Sequence, residues 1–422
     1  VKGYITTQSG YDFKNTITTV KVSKVDVTND AELDGASIQV IDSKNQIFDS
    51  WISSSQAPHT ITGLVIGETY TLRETVAPNG YTLATDTTFV VNADGSVTTT
   101  ASKTQDGVLL IKDAKTVVKI SKVDATSQQE VDGAHIQIID KTNTVVKEWD
   151  SKKNGGEVIE GLKAGETYTL RETIAPDGYT IATDTTFTID VDGKVTSTGS
   201  MTQDGILLVE DAKTKVKISK VDVTSKQEVE KAHIQIIDDQ NNVVKEWDSK
   251  KNGGEEIEGL KTGITYTLRE TVAPEGYTIA ADTTFFIDTT GKVTSTGSMT
   301  QDGILLVEDD KTSVKISKVD ATSQQELPGA HIQIIDAKGN VVEEWDSTTT
   351  PHEIKGLKTK EEYTLRETVA PDGYAVATDT KFTIDEKGNV THTGSTTQDG
   401  ILLVEDWRTN VKISKVDLNN GA

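Results

Sequence analysis

Three residue types recur together at nearly fixed spacing: Lys24, Glu74 and Asp113; Lys122, Glu172 and Asp211; Lys220, Glu270 and Asp309; Lys318, Glu367 and Asp406. Lysine to glutamate is 50, 50, 50 and 49 residues, and glutamate to aspartate is 39 in every copy. Each stands in a run that alternates as a β-strand does, so the direction of its side chain can be read. In VKISKVD, Val118, Ile120 and Lys122 share a face; in YTLRET, Tyr168, Leu170 and Glu172; in LLVED, Leu207, Val209 and Asp211. One amine and two carboxyls per copy therefore point toward an apolar side. A desolvated amine tends to shed its proton, and two neighbouring carboxyls resist ionising together. A neutral amine held against a protonated carboxyl can add to its carbonyl carbon while the second carboxyl shuttles protons, so that water leaves and an amide remains. The expected product is an intramolecular isopeptide bond, which removes two charges that are expensive to bury. An ordinary buried ion network is the other reading of the same three groups.

The elements that must position these groups repeat with them. Lys24, Lys122, Lys220, Lys318 and Lys415 are 98, 98, 98 and 97 residues apart, a period the size of an independent domain. The expected organisation is residues 1–17 as the tail of a preceding domain and linker, repeats at 18–115, 116–213, 214–311 and 312–408, and the first strand of a truncated fifth repeat at 409–422. Within a repeat, HIQIID, NVVKEWD, TYTLRET, TTFTID, KVTSTG and GILLVED, with the opening strand, give about seven strands separated by turn signals such as NGG and APDGY. The fold class predicted is all-β: tandem immunoglobulin-like sandwiches in a head-to-tail array. Eight residues without Pro or Gly separate Asp113 from Lys122, which predicts a short, stiff connection.

Composition narrows the partners. A net charge of −23, from 43 basic and 66 acidic residues, argues against nucleic acid or an anionic membrane. No apolar run is long enough to span a bilayer. Without cysteine there are no disulfides, thiol catalysis or thiolate metal sites, so any covalent staple must be of another kind. No cofactor and no metal site is expected, and a monomer is.

Repeat 4, VKISKVDATSQQELPGAHIQIIDAKGNVVEEWD followed by YTLRETVAPDGYAVATDTKFTIDEKGNVT and GILLVED, resembles the collagen-adhesin B-type (CnaB/SpaA-like) domains of Gram-positive surface proteins and pili, and is similar to the domain behind the SpyTag and SpyCatcher pair. The resemblance covers each repeat end to end. It implies bonds Lys24–Asp113, Lys122–Asp211, Lys220–Asp309 and Lys318–Asp406, assisted by the glutamates of the LxETxAPxGY box, Glu74, Glu172, Glu270 and Glu367. It further implies a cell-wall-anchored, extracellular protein whose partners are its own neighbouring domains and a distal adhesive domain outside this segment. Asn15, nine residues before Lys24 as Asp113 is before Lys122, is expected to be the acceptor of a preceding Asn-type domain, and Lys415 to stay unreacted.

Other signals carry less. Lys231 stands where the other repeats place a turn glycine, which predicts an altered turn. His135, His233 and His331 read as exposed strand residues, and DVDGK at Asp190–Lys194 as a hairpin turn, since it lacks the terminal Glu of a calcium loop. The Gln of each TQDG raises a Thr–Gln ester as a minor alternative. LPGA at Leu327–Ala330 is no LPxTG sorting signal, and there is no YPKN pilin motif, which favours a single-chain adhesin stalk over a pilus shaft. Two function classes stand: a structural spacer stiffened by its own cross-links, and a repeat region that binds host extracellular matrix. Near-identical repeats without an exposed aromatic cluster favour the spacer. A conventional enzyme is not expected, because the triad is consumed in a single turnover.

Overall fold

A computed structural model describes residues 2–415. The chain forms two compact units, Val1–Lys213 and Thr214–Ala422, each holding two repeats. Four separate apolar clusters, one per repeat, form the cores. Among the described residues there is no helix, and so none long and apolar enough to cross a membrane.

Repeat 2 shows the architecture. A five-stranded antiparallel sheet runs in the order Val145–Asp150, His135–Ile139, Thr167–Ile174, Thr185–Ile189, Val195–Ser197. Facing it is a three-stranded sheet of Glu157–Glu160, Val117–Asp124 and Leu207–Asp211. Alternation builds the layer between them: Ile136, Ile138, Tyr168, Leu170, Phe187 and Ile189 from one sheet meet Val118, Ile120, Ile159, Leu207 and Val209 from the other. The strand Glu157–Glu160 goes beyond the seven expected; it is short and polar, with only Ile159 turned inward, so it carries little periodicity. It makes the opening strand central in its sheet, antiparallel to 157–160 and parallel to the last strand, with Lys122 opposite Val209 and Asp124 opposite Asp211. Every turn of the repeat lies between the first strand and the last. Repeats 1 and 4 add one short strand beside the last, Ser102–Lys103 and Ser395–Thr396.

Several local expectations meet the backbone differently. Lys231 keeps the turn of its glycine counterparts: its φ is 72°, and its N–H donates to Ser249 O at 2.9 Å as Gly133 N–H does to Ser151 O at 3.1 Å. The geometry is held by that hydrogen bond, at the strain of a left-handed conformation in a residue with a Cβ. Asp190–Lys194 is a hairpin turn in which Asp190 Oδ1 accepts the amides of Asp192 and Lys194 at 3.0 and 2.7 Å. Residues 411–415, expected to open a fifth repeat, form no strand and pair with none among the described residues; Lys415 is exposed there, and the rest of that expected strand lies outside the described residues. Tyr4–Ser9 and Asp12–Ile17 pair as a hairpin on which Asn15 is exposed, its Oδ1 accepting from Thr6 Oγ1 at 2.7 Å.

The connection between repeats 1 and 2 is built into backbone hydrogen bonds. Thr116, fully buried, donates its N–H to Gly80 O of repeat 1 at 2.9 Å and its Oγ1 to Leu162 O of repeat 2 at 2.5 Å. Leu83 N–H reaches across to Val191 O at 2.9 Å. Gly80, at φ +85°, sits so close to repeat 2 that a Cβ would lie 2.8 Å from Gly161 O. Repeats 3 and 4 meet in the same way through Thr312, Gly276 and Gly356, with Ile279 N–H on Glu386 O at 2.8 Å. Gly80→Ala, which combines a strained φ with a clash, is therefore expected to open this joint and leave both cores closed. Hydrogen exchange at Leu83 and Thr116 should accelerate roughly tenfold or more while the Tyr168–Leu170 amides are unchanged. Equal protection of Leu83 and Thr116 in variant and wild type would show that the joint does not depend on the glycine contact.

Candidate functional site

The three-stranded sheet supplies two members of each triad and the five-stranded sheet the third. Lys122 lies on the first strand and Asp211 on the parallel last strand, two residues past Val209, so the lysine side chain needs only to lean along its own strand to reach the aspartate. Glu172 comes from the facing sheet, beside a bulge: His135 pairs with Ile174 but Ile136 with Glu172, so Thr173 is extra. The same irregularity recurs beside Glu74, Glu270 and Glu367. A bulge locally re-aims a strand, and here it sits next to the residue by which the five-stranded sheet carries charge into the core.

All twelve predicted side chains come together in four identical clusters. In each, lysine Nζ touches Oδ1 of its aspartate: Lys24 on Asp113, Lys122 on Asp211, Lys220 on Asp309, Lys318 on Asp406. Glutamate Oε1 also approaches Nζ, at 2.9 Å for Glu74, 3.5 Å for Glu172, 3.3 Å for Glu270 and 3.0 Å for Glu367. These side chains are 0–1% exposed. The second glutamate oxygen is held by the main chain: Oε2 accepts the N–H of Ala84, Ala182, Ala280 or Ala377 at 2.6 Å in all four repeats. This donor, ten residues after the glutamate, leaves no mark in the sequence because every residue type but proline supplies it.

Electrostatics follow from burial. Desolvation pushes Asp113 up to about 7, Glu172 to about 8 and Asp309 to about 8, against the opposing pull of the adjacent lysine. Asp211 and Glu367 are raised for the same first cause. In each repeat the glutamate and aspartate carboxyls also lie within hydrogen-bond reach of each other, so one proton can be shared between them. A carboxyl pair of this kind holds a proton near neutral pH, leaving one acid and one base around a single amine.

The remaining candidates lie elsewhere. His135 is half-buried on the outer face of the five-stranded sheet and pairs across the ladder with Asp150, Nδ1 to Oδ1 at 2.7 Å; His233 and His331 repeat this with Asp248 and Asp346 at 2.8 Å. They are therefore less open than expected, because the cross-strand carboxylate folds over them. Gln105, Gln203, Gln301 and Gln398 are exposed, so the ester alternative finds no enclosed site.

Comparison with known proteins gives one family. A model of the SpaA prealbumin-like fold domain matches residues 18–105, 116–203, 214–301 and 312–398. Among solved structures, the TIE protein of Bacillus anthracis is 18% identical over 97% of this chain and 73% of its own, with a TM-score of 0.35. The pilus adhesin SpaC of Lactobacillus rhamnosus GG is 13% identical over 93% of this chain and 57% of its own, with a TM-score of 0.35. A streptococcal ancillary pilin is 15% identical over 69% of this chain and 99% of its own, with a TM-score of 0.26. No curated protein matches the chain.

Proposed function

The chain belongs to the SpaA family of prealbumin-like fold domains, and from that membership we propose that its four repeats are a load-bearing shaft of a Gram-positive surface adhesin or pilus, each repeat closed by its own lysine–aspartate amide. The observation that carries this reading is the fourfold recurrence of one buried constellation, in which an amine touches an acid and a second carboxyl, fixed by a backbone N–H, faces the same nitrogen.

The chemistry balances within the triad. Lys122 enters as an ammonium, and the two carboxyls hold one proton between them. Glu172 takes a proton from Nζ, and the freed amine adds to Cγ of protonated Asp211. Glu172 then protonates the departing hydroxyl, and the proton left on nitrogen as the tetrahedral centre collapses returns to Glu172. The products are an amide, one water and a neutral Glu172, so the ammonium and the carboxylate both disappear. A neutral buried glutamate is what its elevation to about 8 favours. The stated geometry supplies proximity and proton transfer without any group from outside the chain.

The test is intact mass. The protein should be lighter than its sequence by four waters, and Glu172→Ala should restore one of them by leaving Lys122 and Asp211 unjoined. A wild-type mass equal to that of the sequence would end the cross-linking reading; full loss retained in Glu172→Ala would remove Glu172 from the mechanism.

A further inference from the structure

The mechanism leaves one buried carboxylate per repeat unused. The last residue of VKISKVD is two positions beyond the lysine on the same face: Asp26, Asp124, Asp222 and Asp320, all buried. Each stands beside its acceptor aspartate across the parallel ladder, in the pairs Asp26–Asp113, Asp124–Asp211, Asp222–Asp309 and Asp320–Asp406. Its Oδ1 gathers the amides of the turn that follows; for Asp222 these are Thr224 and Ser225 at 3.0 and 2.7 Å. Its Oδ2 accepts a tyrosine hydroxyl: Tyr81 at 3.0 Å, Tyr277 at 3.1 Å and Tyr374 at 2.7 Å, with Tyr179 facing Asp124 in the same way. With the Thr28 hydroxyl on Asp26 and Arg408 Nε on Asp320 Oδ2 at 3.1 Å, these donors hold the carboxyl below the ordinary aspartate range.

The tyrosine is the last residue of the APxGY box, and its main chain clasps the segment just past the acceptor. Tyr277 bridges Lys311, two residues after Asp309, and Thr278 N–H donates to Asp310 O at 2.9 Å. A Tyr–Asp hydrogen bond thus ties the far end of the lysine strand to the chain that leaves the aspartate strand. Those two strands share a ladder of only five pairs, and in repeats 2 and 3 the aspartate strand is the edge of its sheet. Register matters here more than elsewhere. A slip of one residue turns the acceptor out of the core, and a slip of two carries it more than ~6 Å along the strand, beyond contact with Nζ.

Resting on the cross-linking reading above, we infer that this aspartate–tyrosine pair is a latch that sets the register of the acceptor strand and so positions the acceptor carboxyl for attack. Asp26–Tyr81, Asp124–Tyr179, Asp222–Tyr277 and Asp320–Tyr374 are positioning residues: among the described residues they make no hydrogen bond or ion pair with the lysine nitrogen or the glutamate, and they act through the aspartate beside them.

The four repeats allow a controlled test in one molecule. Full-length chain is made by cell-free translation and quenched in denaturant at intervals. Protease digestion then gives the joined fraction of each Lys–Asp pair by peptide mass. Tyr277→Phe, which removes only the hydroxyl, and Asp222→Ala should each slow joining of Lys220 to Asp309 about tenfold or more, while the other three pairs keep the wild-type rate. Asp222→Asn, whose amide can still bond the Tyr277 hydroxyl, should restore most of the rate. Melting of repeat 3 in a Lys220→Ala background should shift by only a few degrees, about that of one lost hydrogen bond, when Tyr277→Phe is added. Wild-type joining of Lys220 to Asp309 at an unchanged rate in Tyr277→Phe would overturn the latch and leave the cross-link intact. Collapse of repeat 3 in the Lys220→Ala background would overturn it too, by showing the pair to be structural. Absence of joining in any wild-type repeat would instead sink the cross-linking reading beneath it.

Discussion

Pulled from its two ends, the wild-type chain should lengthen without releasing any of its four repeats. The first and last strands of a repeat are neighbours in a parallel ladder, Ile120–Asp124 against Leu207–Asp211. Tension that enters at the start of one and leaves at the end of the other loads that ladder in shear. With the amide present, tension passes from Lys122 directly to Asp211, and residues 123–210, 88 in all, lie outside the load path. Without it the ladder alone resists, and once it yields those residues extend by roughly 300 Å at ~3.5 Å each. Glu172→Ala should therefore add one step of that length to a single-molecule trace that otherwise has none. Stepwise unravelling of wild type, with the amides verified by mass, would mean that force bypasses them and that the repeats do not act as a shaft.

Removing the amine should be the most damaging single change to stability. Closing a loop of this length by a covalent bond constrains the unfolded chain by about 4–5 kcal/mol in the loop-entropy model established for disulfides. For a domain of this size that corresponds to roughly 20 °C or more in melting temperature. Lys122→Ala should lower the melting of repeat 2 by that order and make it the repeat that protease cuts first. The variant should also show a pH dependence. Burial raises Glu172 from its ordinary 4.5 to about 8 even with Lys122 beside it, so the folded state holds the proton more tightly than the unfolded one. That contribution is complete below about pH 4.5 and is lost as pH rises toward 8. Repeat 2 of Lys122→Ala should thus melt lower at pH 8 than at pH 5; the reverse order would contradict a buried, proton-retaining pair.

The sequence exposes the cluster because a strand has a side-chain period of two, so a charge on an apolar face is visible wherever its neighbours alternate, as they do around Lys122, Glu172 and Asp211. Four copies at constant spacing separate that signal from coincidence. What it hides is the work of backbone atoms and of distant loops. Ala182 N–H could belong to any residue but proline, Glu157–Glu160 is too short to show periodicity, and the joint at Thr116 is completed by Gly80 and Gly161, 36 residues before it and 45 after it. Lys231 reads as a broken turn because propensity is local, while the bond to Ser249 that holds the turn comes from the next strand pair. The aspartate of VKISKVD is legible as inward-facing, but its tyrosine partner stands 55 residues away in repeats 1 and 3.

Because every turn of a repeat falls between its first and last strands, an amide from Lys122 to Asp211 makes each repeat a closed ring with two tails. A ring has two routes from one tail to the other. A single cut in an exposed turn, such as that around Lys152–Lys153, opens the ring without separating what lies on either side, since the route through the amide remains. Only the stretches between rings are single-stranded in this sense. Between repeats 1 and 2 that stretch is residues 114–121, in which Ala114, Lys115 and Val117 are exposed while Thr116, Val118, Ile120 and Ser121 are buried. A cut there would sever the chain, but its backbone is tied by the Thr116 hydrogen bond and runs into the Val117–Asp124 strand, so an enzyme must open the joint before it can cut.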